Sequence, residues 1–212
     1  DDAQEIYHSS THLLHLINDV LDLGQIDQMQ MTLYKEWVHP LEFIQEVKEM
    51  VWSAFSRKKI NLEIDVAADL PQIFVDHTRL RQVLLNLVTN SLRFTEEGFV
   101  KIKVWQEEKA ICFCVEDTGV GIAKEEIPKI FEVFHQVGNE HWRRREGSGL
   151  GIAISQNFIK LHGGKLWVES ELGKGSRFYF TIPISQAAAG QAAAGQAAAS
   201  PASHTDDWYW QN

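Results

Sequence analysis

The sequence predicts an α+β domain that follows a long amphipathic helix and precedes a low-complexity tail. Residues 3–31 repeat apolar side chains at helical spacing, and residues 33–184 alternate strand-like with helix-like segments. Residues 185–200 repeat a five-residue Gln-Ala-Ala-Ala-Gly unit. A chain of 212 residues, 44% of them hydrophobic, has enough apolar material for one domain of ordinary size plus an appendage.

The first segment is predicted to form one long helix with an apolar stripe. Its apolar residues recur three and four positions apart, which is the spacing of one helix face. They are Ile6, Leu13, Ile17 and Val20, with Leu14 and Leu21 beside them. Such a stripe is suited to packing against another helix.

The middle segment carries six predicted strands and three predicted helices, assigned from the period of their apolar residues. The strands are 33–38, 60–66, 98–106, 110–117, 164–170 and 176–184, and the helices are 40–56, 77–94 and 148–162. Gly173 and Gly175 need only a turn between the last two strands.

The tail is interpreted as a linker, because alanine favours a helix whereas the regularly spaced glycines oppose it. It ends in the sequence DDWYWQN, whose adjacent aromatic residues either anchor on a surface or form an unattached end.

Composition excludes several classes of function. The net charge of −9 argues against nucleic acid as a partner, because binding phosphates over a broad surface requires a basic face. No apolar run of about 18 residues predicts a membrane span, and no signal peptide opens the chain. Cys112 and Cys114 at strand spacing are more typical of core residues in a reducing compartment than of a metal site or disulfide. We therefore expect a cytoplasmic protein without membrane contact in this segment.

The predicted helix 77–94 carries a polar face. Asn86 and Asn90 are four residues apart, with Arg93 nearly one turn further along, and Leu80, Leu84 and Leu87 supply the opposite face. The two asparagines are either ordinary surface residues or ligands for Mg²⁺, which accepts carboxamide oxygens alongside phosphates.

Two glycine-rich turns follow. Asp117 ends a predicted strand before Gly119 and Gly121, so its carboxylate either belongs to a turn or accepts a hydrogen bond from an adenine amino group. Residues 147–151, GSGLG, precede a predicted helix and form either a flexible loop or a turn that binds phosphate.

The order of these signals resembles sensor histidine kinases. Asn86 and Asn90, then residues 117–121, then Phe131 and Phe134 in IFEVFHQV, then residues 147–151 are similar to the N, G1, F and G2 boxes of that family. Four boxes in order are far more specific than one glycine run, and the resemblance covers residues 3–184. It implies a two-layer α/β sandwich, in which a mixed sheet is covered on one face by helices, and it implies binding of ATP or ADP.

The resemblance also implies residue roles. Asp117 would bind the adenine amino group, Gly119 and Gly121 would shape the floor beneath it, and Ile122 would pack nearby. Asn90 would hold Mg²⁺. The full implied nucleotide-binding set is Asn90, Asp117, Gly119, Gly121, Ile122, Gly147, Gly149, Leu150 and Gly151.

Asn86 and Arg93 are the candidate catalytic residues. ATP-hydrolysing relatives with this fold carry a glutamate base where this chain has Asn86, and an amide cannot act as a base, so phosphate transfer is favoured over hydrolysis. Arg93 stands where the family often has a lysine that faces the phosphates, and it keeps the charge with a different donor geometry. Residues 123–146 would form a lid, in which Arg143, Arg144 and Arg145 are either solvated or candidates for reaching the γ-phosphate.

The resemblance divides the chain into residues 1–32, the second helix of a dimerisation hairpin; 33–185, the catalytic domain; and 186–212, the linker and tail. None of the nine histidines has the acidic residue and proline that follow the family's phosphoacceptor. His8, His12 and His15 are read as a solvated helix face, because no carboxylate or cysteine completes a metal site. We expect the acceptor helix upstream of Asp1.

The predicted partners are a response regulator receiver domain and, weakly, a second copy through the first helix. A nucleotide-responsive module without catalysis is the alternative function, and a serine kinase of the anti-sigma-factor kind is a weaker one.

Overall fold

The computed structural model describes residues 2–28, 31–136 and 148–184. Seven strands and four helices lie in these ranges, together with one 3₁₀ turn at Lys129–Phe131. The helices are α1 (Asp2–Asp27), α2 (Pro40–Lys58), α3 (His77–Phe94) and α4 (Gly151–Leu161). The strands are β1 (Glu36–Val38), β2 (Asn61–Val66), β3 (Ile73–Val75), β4 (Phe99–Glu107), β5 (Ala110–Asp117), β6 (Leu166–Glu171) and β7 (Gly175–Pro183).

Five strands form a mixed sheet in the order β2-β4-β5-β7-β6, with β2 parallel to β4 and the other neighbours antiparallel. Alternate residues face opposite sides of the sheet, so Val100 and Ile102 are buried in the core that the helices cover. Lys103 lies on the other side, where its ammonium contacts the Glu116 carboxylate at 2.7 Å. The predicted two-layer α+β architecture is confirmed.

Aromatic rings join the helical layer to the sheet. Phe113 of β5 stacks on Phe180 of β7 with ring centroids 4.6 Å apart, and Phe43 of α2 meets Phe113 edge-on at 6.5 Å. All three rings are at most 2% exposed. Cys112 and Cys114 are buried free thiols, but they alternate with Phe113 and lie on the face of the sheet opposite to the helices.

The end of α1 is attached to the start of α3. The buried Asp22 carboxylate accepts hydrogen bonds from Arg79 at 2.9 Å and from Gln82 at 3.2 Å, and Leu23 and Ile26 pack against the core. The residues of the predicted stripe are all exposed: Ile6, Leu13, Leu14, Ile17, Val20 and Leu21. The side chains of His8, His12 and His15 lie outside the described residues.

Several predicted bounds were wrong. The strand predicted over 33–38 is confined to Glu36–Val38, and its partner Ile73–Val75 was missed because three residues are too few to show an alternating pattern. The helix predicted from 148 begins at Gly151, since the positive φ of 69° at Gly149 is incompatible with a right-handed helix. The tail beyond residue 184 lies outside the described residues.

No helix in the described part of the chain is both long enough and apolar enough to cross a membrane.

The core assignment predicts a large difference between two phenylalanines. Phe113→Ala should lower the free energy of unfolding by about 3–5 kcal/mol, because it leaves a cavity between α2 and the sheet. Phe74→Ala should cost about 1 kcal/mol, because Phe74 is 41% exposed and loses little beyond its contact with Trp37. Urea denaturation measures both, and equal losses would contradict this placement of the core.

Candidate nucleotide-binding site

Asp117 ends β5 and is held by three hydrogen bonds. Its Oδ1 accepts from the backbone N–H of Gly119 at 2.9 Å and of Ser176 at 3.2 Å. Its Oδ2 accepts from the Ser91 hydroxyl of α3 at 3.1 Å. The residue is 6% exposed, and burial raises the pKa of this carboxyl even though the three hydrogen bonds oppose the rise.

The turn after Asp117 allows close approach of backbone to backbone. A side chain at Gly119 would meet the Phe94 carbonyl, and a side chain at Gly121 would meet the Glu171 carbonyl. Gly121 also has a φ of +68°, which favours glycine. Ile122 is partly buried against the core, and its backbone N–H donates to the Ser170 hydroxyl at 2.8 Å.

The polar face of α3 forms one connected chain of hydrogen bonds. Arg93 donates to Asn90 Oδ1 at 2.9 Å, Asn90 donates to Asn86 Oδ1 at 3.2 Å, and Asn86 donates to the Ser155 hydroxyl of α4 at 3.0 Å. The Arg93 guanidinium lies 4.6 Å from the centre of the Phe94 ring. Burial lowers the pKa of Arg93, which nevertheless stays cationic at neutral pH.

The start of α4 approaches α3 at Asn86. A side chain at Gly151 would collide with the Asn86 carboxamide, which would have to move aside. Gly149 adopts a φ of +69° and lies against the backbone of Phe134 and His135. Leu150 is buried and caps the helix, and its N–H donates to Ser148 Oγ at 3.1 Å.

The structure therefore brings the end of β5 and the start of α4 into contact with α3, which carries the two asparagines. Ser91 reaches Asp117, its neighbour Asn90 lies in the polar chain, and Asn86 meets α4. Residues 123–136 of the predicted lid include the 3₁₀ turn, and Phe134 within them is 66% exposed. Gly147 and the arginines Arg143, Arg144 and Arg145 lie outside the described residues.

Sequence reasoning missed the hydroxyl groups of the site. Ser91, Ser155 and Ser176 each contact a predicted site residue, yet none belongs to a recognised glycine or asparagine box. The one signal was Ser91, a polar residue on the apolar face of α3. Gly175 also does more than form a turn, because a side chain there would collide with the Asp117 carbonyl.

The Asn90 carboxamide oxygen is of a type that Mg²⁺ accepts as a ligand. No group of three or more His, Cys, Asp or Glu side chains gathers within the described ranges, so these side chains do not enclose an ion by themselves. Mg²⁺ is usually bound by one or two protein oxygens together with phosphates and water. A single amide oxygen on α3, close to the start of α4, fits that mode. The Arg93 guanidinium, which donates to this oxygen, would have to move away from it.

Comparisons with known proteins identify the family of this domain. Residues 75–186 match the family described as Histidine kinase-, DNA gyrase B-, and HSP90-like ATPase. The chain is 37% identical over 185 residues to the circadian input-output histidine kinase CikA of Synechococcus elongatus, covering 84% of this chain and 24% of that protein.

Solved structures give the same result. Full-length ShkA in complex with AMPPNP has a TM-score of 0.76 and 35% identity, over 85% of this chain and 38% of that one. The histidine kinase ThkA in complex with the response regulator protein TrrA has a TM-score of 0.65 and 27% identity, over 83% of this chain and 49% of that one.

The chain spans only 12% to 24% of the length of four curated relatives, CikA among them. The family match, by contrast, covers more than half of its 212 residues. Its mixed sheet and its helical layer agree with that match. The chain therefore belongs to the histidine kinase-, DNA gyrase B- and HSP90-like ATPases and carries the ATP-binding catalytic domain found in sensor histidine kinases.

Proposed function

We propose that this chain binds ATP with Mg²⁺ and transfers the γ-phosphate to a histidine outside these 212 residues, for relay to the receiver domain of a response regulator. The observation that favours phosphate transfer over hydrolysis is the set of hydrogen bonds made by the Asn86 amide. Its amide is engaged by Asn90 and Ser155, and an amide has no basic site with which to activate water. The complex of the related ThkA with TrrA supports the proposed partner.

Asp117 is the proposed adenine ligand. Two backbone N–H groups hold its Oδ1, so Oδ2 receives only the Ser91 hydroxyl and keeps acceptor capacity for an exocyclic amino group. Gly119 and Gly121 would form the floor, and Ile122 would supply apolar contact.

The phosphates are proposed to lie between α3 and the start of α4. The first N–H groups of α4 have no side-chain cap, which leaves them available to an anion. Asn90 would hold Mg²⁺, which shields the phosphate charge when bound. Arg93 would then turn from Asn90 toward the phosphates.

The division at residues 32 and 185 also remains a proposal. Residues 1–32 would supply one helix of a dimerisation hairpin, and the exposed stripe of α1 supports weak self-association. Cytoplasmic location follows from the proposed partners rather than from any feature of the fold.

Asp117→Asn should abolish nucleotide binding and leave the fold intact. The N–H groups of Gly119 and Ser176 fix the oxygen of the new amide, so its NH₂ replaces Oδ2 and opposes the adenine amino group. Losing a hydrogen bond to a charged group costs about 1.5–3 kcal/mol, and the added repulsion makes the expected loss at least about 100-fold. Calorimetry with MgADP measures it.

Glu116→Gln is the matched control. Glu116 precedes Asp117 in β5, but its carboxylate pairs with Lys103 and Arg177 on the opposite face of the sheet. Its affinity should equal that of the parent chain. A folded Asp117→Asn variant with unchanged affinity would refute the adenine assignment.

The same variant should alter the pH dependence of stability. A carboxyl whose pKa is raised on folding destabilises the native state once it is ionised, so stability falls as pH rises from the unfolded pKa through the folded one. Asp117→Asn lacks this penalty. Its free energy of unfolding should exceed the parent's by an amount that grows from about pH 4 and then stays constant, as measured by urea titrations at several pH values. A constant difference at every pH would contradict it.

Asn90→Ala should remove the contribution of Mg²⁺ to nucleotide affinity. The amide oxygen is the proposed ligand, so ADP binding measured with a chelator should change little, while the gain on adding Mg²⁺ should shrink by about tenfold or more. Thr89→Ala is the control, because this exposed hydroxyl bonds only within its own helix. An undiminished gain in Asn90→Ala would exclude Asn90 as the metal ligand.

The chain by itself should bind nucleotide and fail to label itself with γ-labelled ATP. Phosphotransfer requires an acceptor positioned in line with the phosphate, and no histidine here has the expected sequence context. Acid and base treatment identify phosphohistidine, which is labile in acid and stable in base. Acid-labile label on this chain would show that one of its own histidines is the acceptor. A separate helix carrying an acceptor histidine should become labelled if the proposal holds, and lack of label there would favour a binding module without catalysis.

A further inference from the structure

Ser170 in β6 is a half-buried hydroxyl with three polar partners. Its Oγ lies 2.8 Å from the Ile122 backbone N, 2.9 Å from the Gly175 carbonyl oxygen and 2.9 Å from Ser176 Oγ. Neither the recognised boxes nor the proposed reaction assigns it a role.

The directions of these bonds follow from the chemistry of the partners. Ile122 N–H can only donate, so Ser170 accepts from it, and the Gly175 carbonyl can only accept, so Ser170 donates its single hydrogen there. Ser176 then donates to the remaining lone pair of Ser170. All the hydrogen-bonding capacity of one hydroxyl is thereby used.

These partners belong to both halves of the proposed adenine site. Ile122 ends the glycine turn that would form the floor, and the backbone N–H of Ser176 holds Asp117 Oδ1. The turn rests on the β6–β7 hairpin at other points too, where Gly173 N–H donates to the Val120 carbonyl at 2.7 Å. The Ser170 side chain thus joins the glycine turn to β7, whose Ser176 N–H donates to the Asp117 carboxylate.

The hairpin is also held together by backbone hydrogen bonds that do not involve this hydroxyl. Its turn is closed by the backbone bond from Lys174 to Glu171 at 3.0 Å, and β6 pairs with β7 from Leu166 to Glu171. The bond from Ser170 to Ile122, in contrast, leaves the hairpin and reaches the glycine turn. Its loss would leave the Ile122 N–H without its partner.

We propose that Ser170 is a positioning residue, which sets the height of the adenine-binding turn relative to Asp117. The proposal rests on the proposed binding of adenine at Asp117. A displaced turn weakens contacts with the base but not those with the phosphates, so a variant should lose the same factor for adenosine as for ADP.

The test is calorimetry of MgADP and adenosine with the parent chain and with Ser170→Ala and Ser170→Thr. Ser170→Ala should weaken both ligands by the same factor, about threefold to tenfold, which is the range of one hydrogen bond. Ser170→Thr keeps the hydroxyl and should retain most of the affinity. Amide exchange at Ile122 should quicken in Ser170→Ala alone.

Thr181→Ala is the matched control. Thr181 Oγ1 accepts from Lys165 N–H at 3.1 Å at the other end of the same hairpin, so its removal costs a similar bond far from the proposed base. Its affinities should equal those of the parent. Equal losses in Ser170→Ala and Thr181→Ala, or an unchanged affinity in folded Ser170→Ala, would overturn the proposal.

Two further outcomes are distinguishable. If Ser170→Ala does not fold, Ser170→Cys keeps the side-chain volume with weaker hydrogen bonding and should show the same equal loss, whereas full affinity would refute the role. If the parent chain binds neither ligand, the proposed function itself fails, and Ser170 has no base to position.

Discussion

The burial of one face of α3 against the sheet fixes where the polar groups of the site lie. Leu80, Val83, Leu84 and Val88 of this helix are fully buried, so its rotation about its own axis is set by packing. The helical period then places Asn86, Asn90 and Arg93 on the other face without any further interaction. A hydrophobic constraint thus determines the geometry of a hydrophilic site.

Asp117 shows the cost of the arrangement and how it is offset. Desolvation disfavours the ionised carboxylate of Asp117. The same burial places its remaining lone pairs in a low-dielectric environment, where hydrogen bonds are strong. The N–H groups of Gly119 and Ser176 and the hydroxyl of Ser91 offset part of the penalty. They also fix the orientation of the carboxylate before a ligand arrives, so little entropy remains to be lost on binding.

Local patterns predicted α3 closely, because its apolar period is contained in neighbouring residues. The order of the asparagine and glycine boxes predicted which elements would meet. The strand Ile73–Val75 and the hydroxyl of Ser170 escaped prediction for a different reason. Both depend on partners 35 or more residues away, Val38 for Ile73 and Ile122 for Ser170, and a local period carries no information about such distances.

Arg93 extends this reasoning to the charge balance of the site. Its guanidinium donates to Asn90 Oδ1, the oxygen proposed for Mg²⁺, so one acceptor is offered to two cations. A guanidinium 2.9 Å from that oxygen would repel a metal ion bound to it, since two positive charges would then share one neutral amide. The Phe94 ring stabilises the arginine in this position through a cation–π contact. The polar face of α3 already carries the positive charge of Arg93 beside the proposed metal ligand, and the phosphates would supply the negative charge that lets both cations remain. Under the proposed assignment of Mg²⁺ to Asn90, we therefore expect nucleotide phosphates to strengthen metal binding at α3.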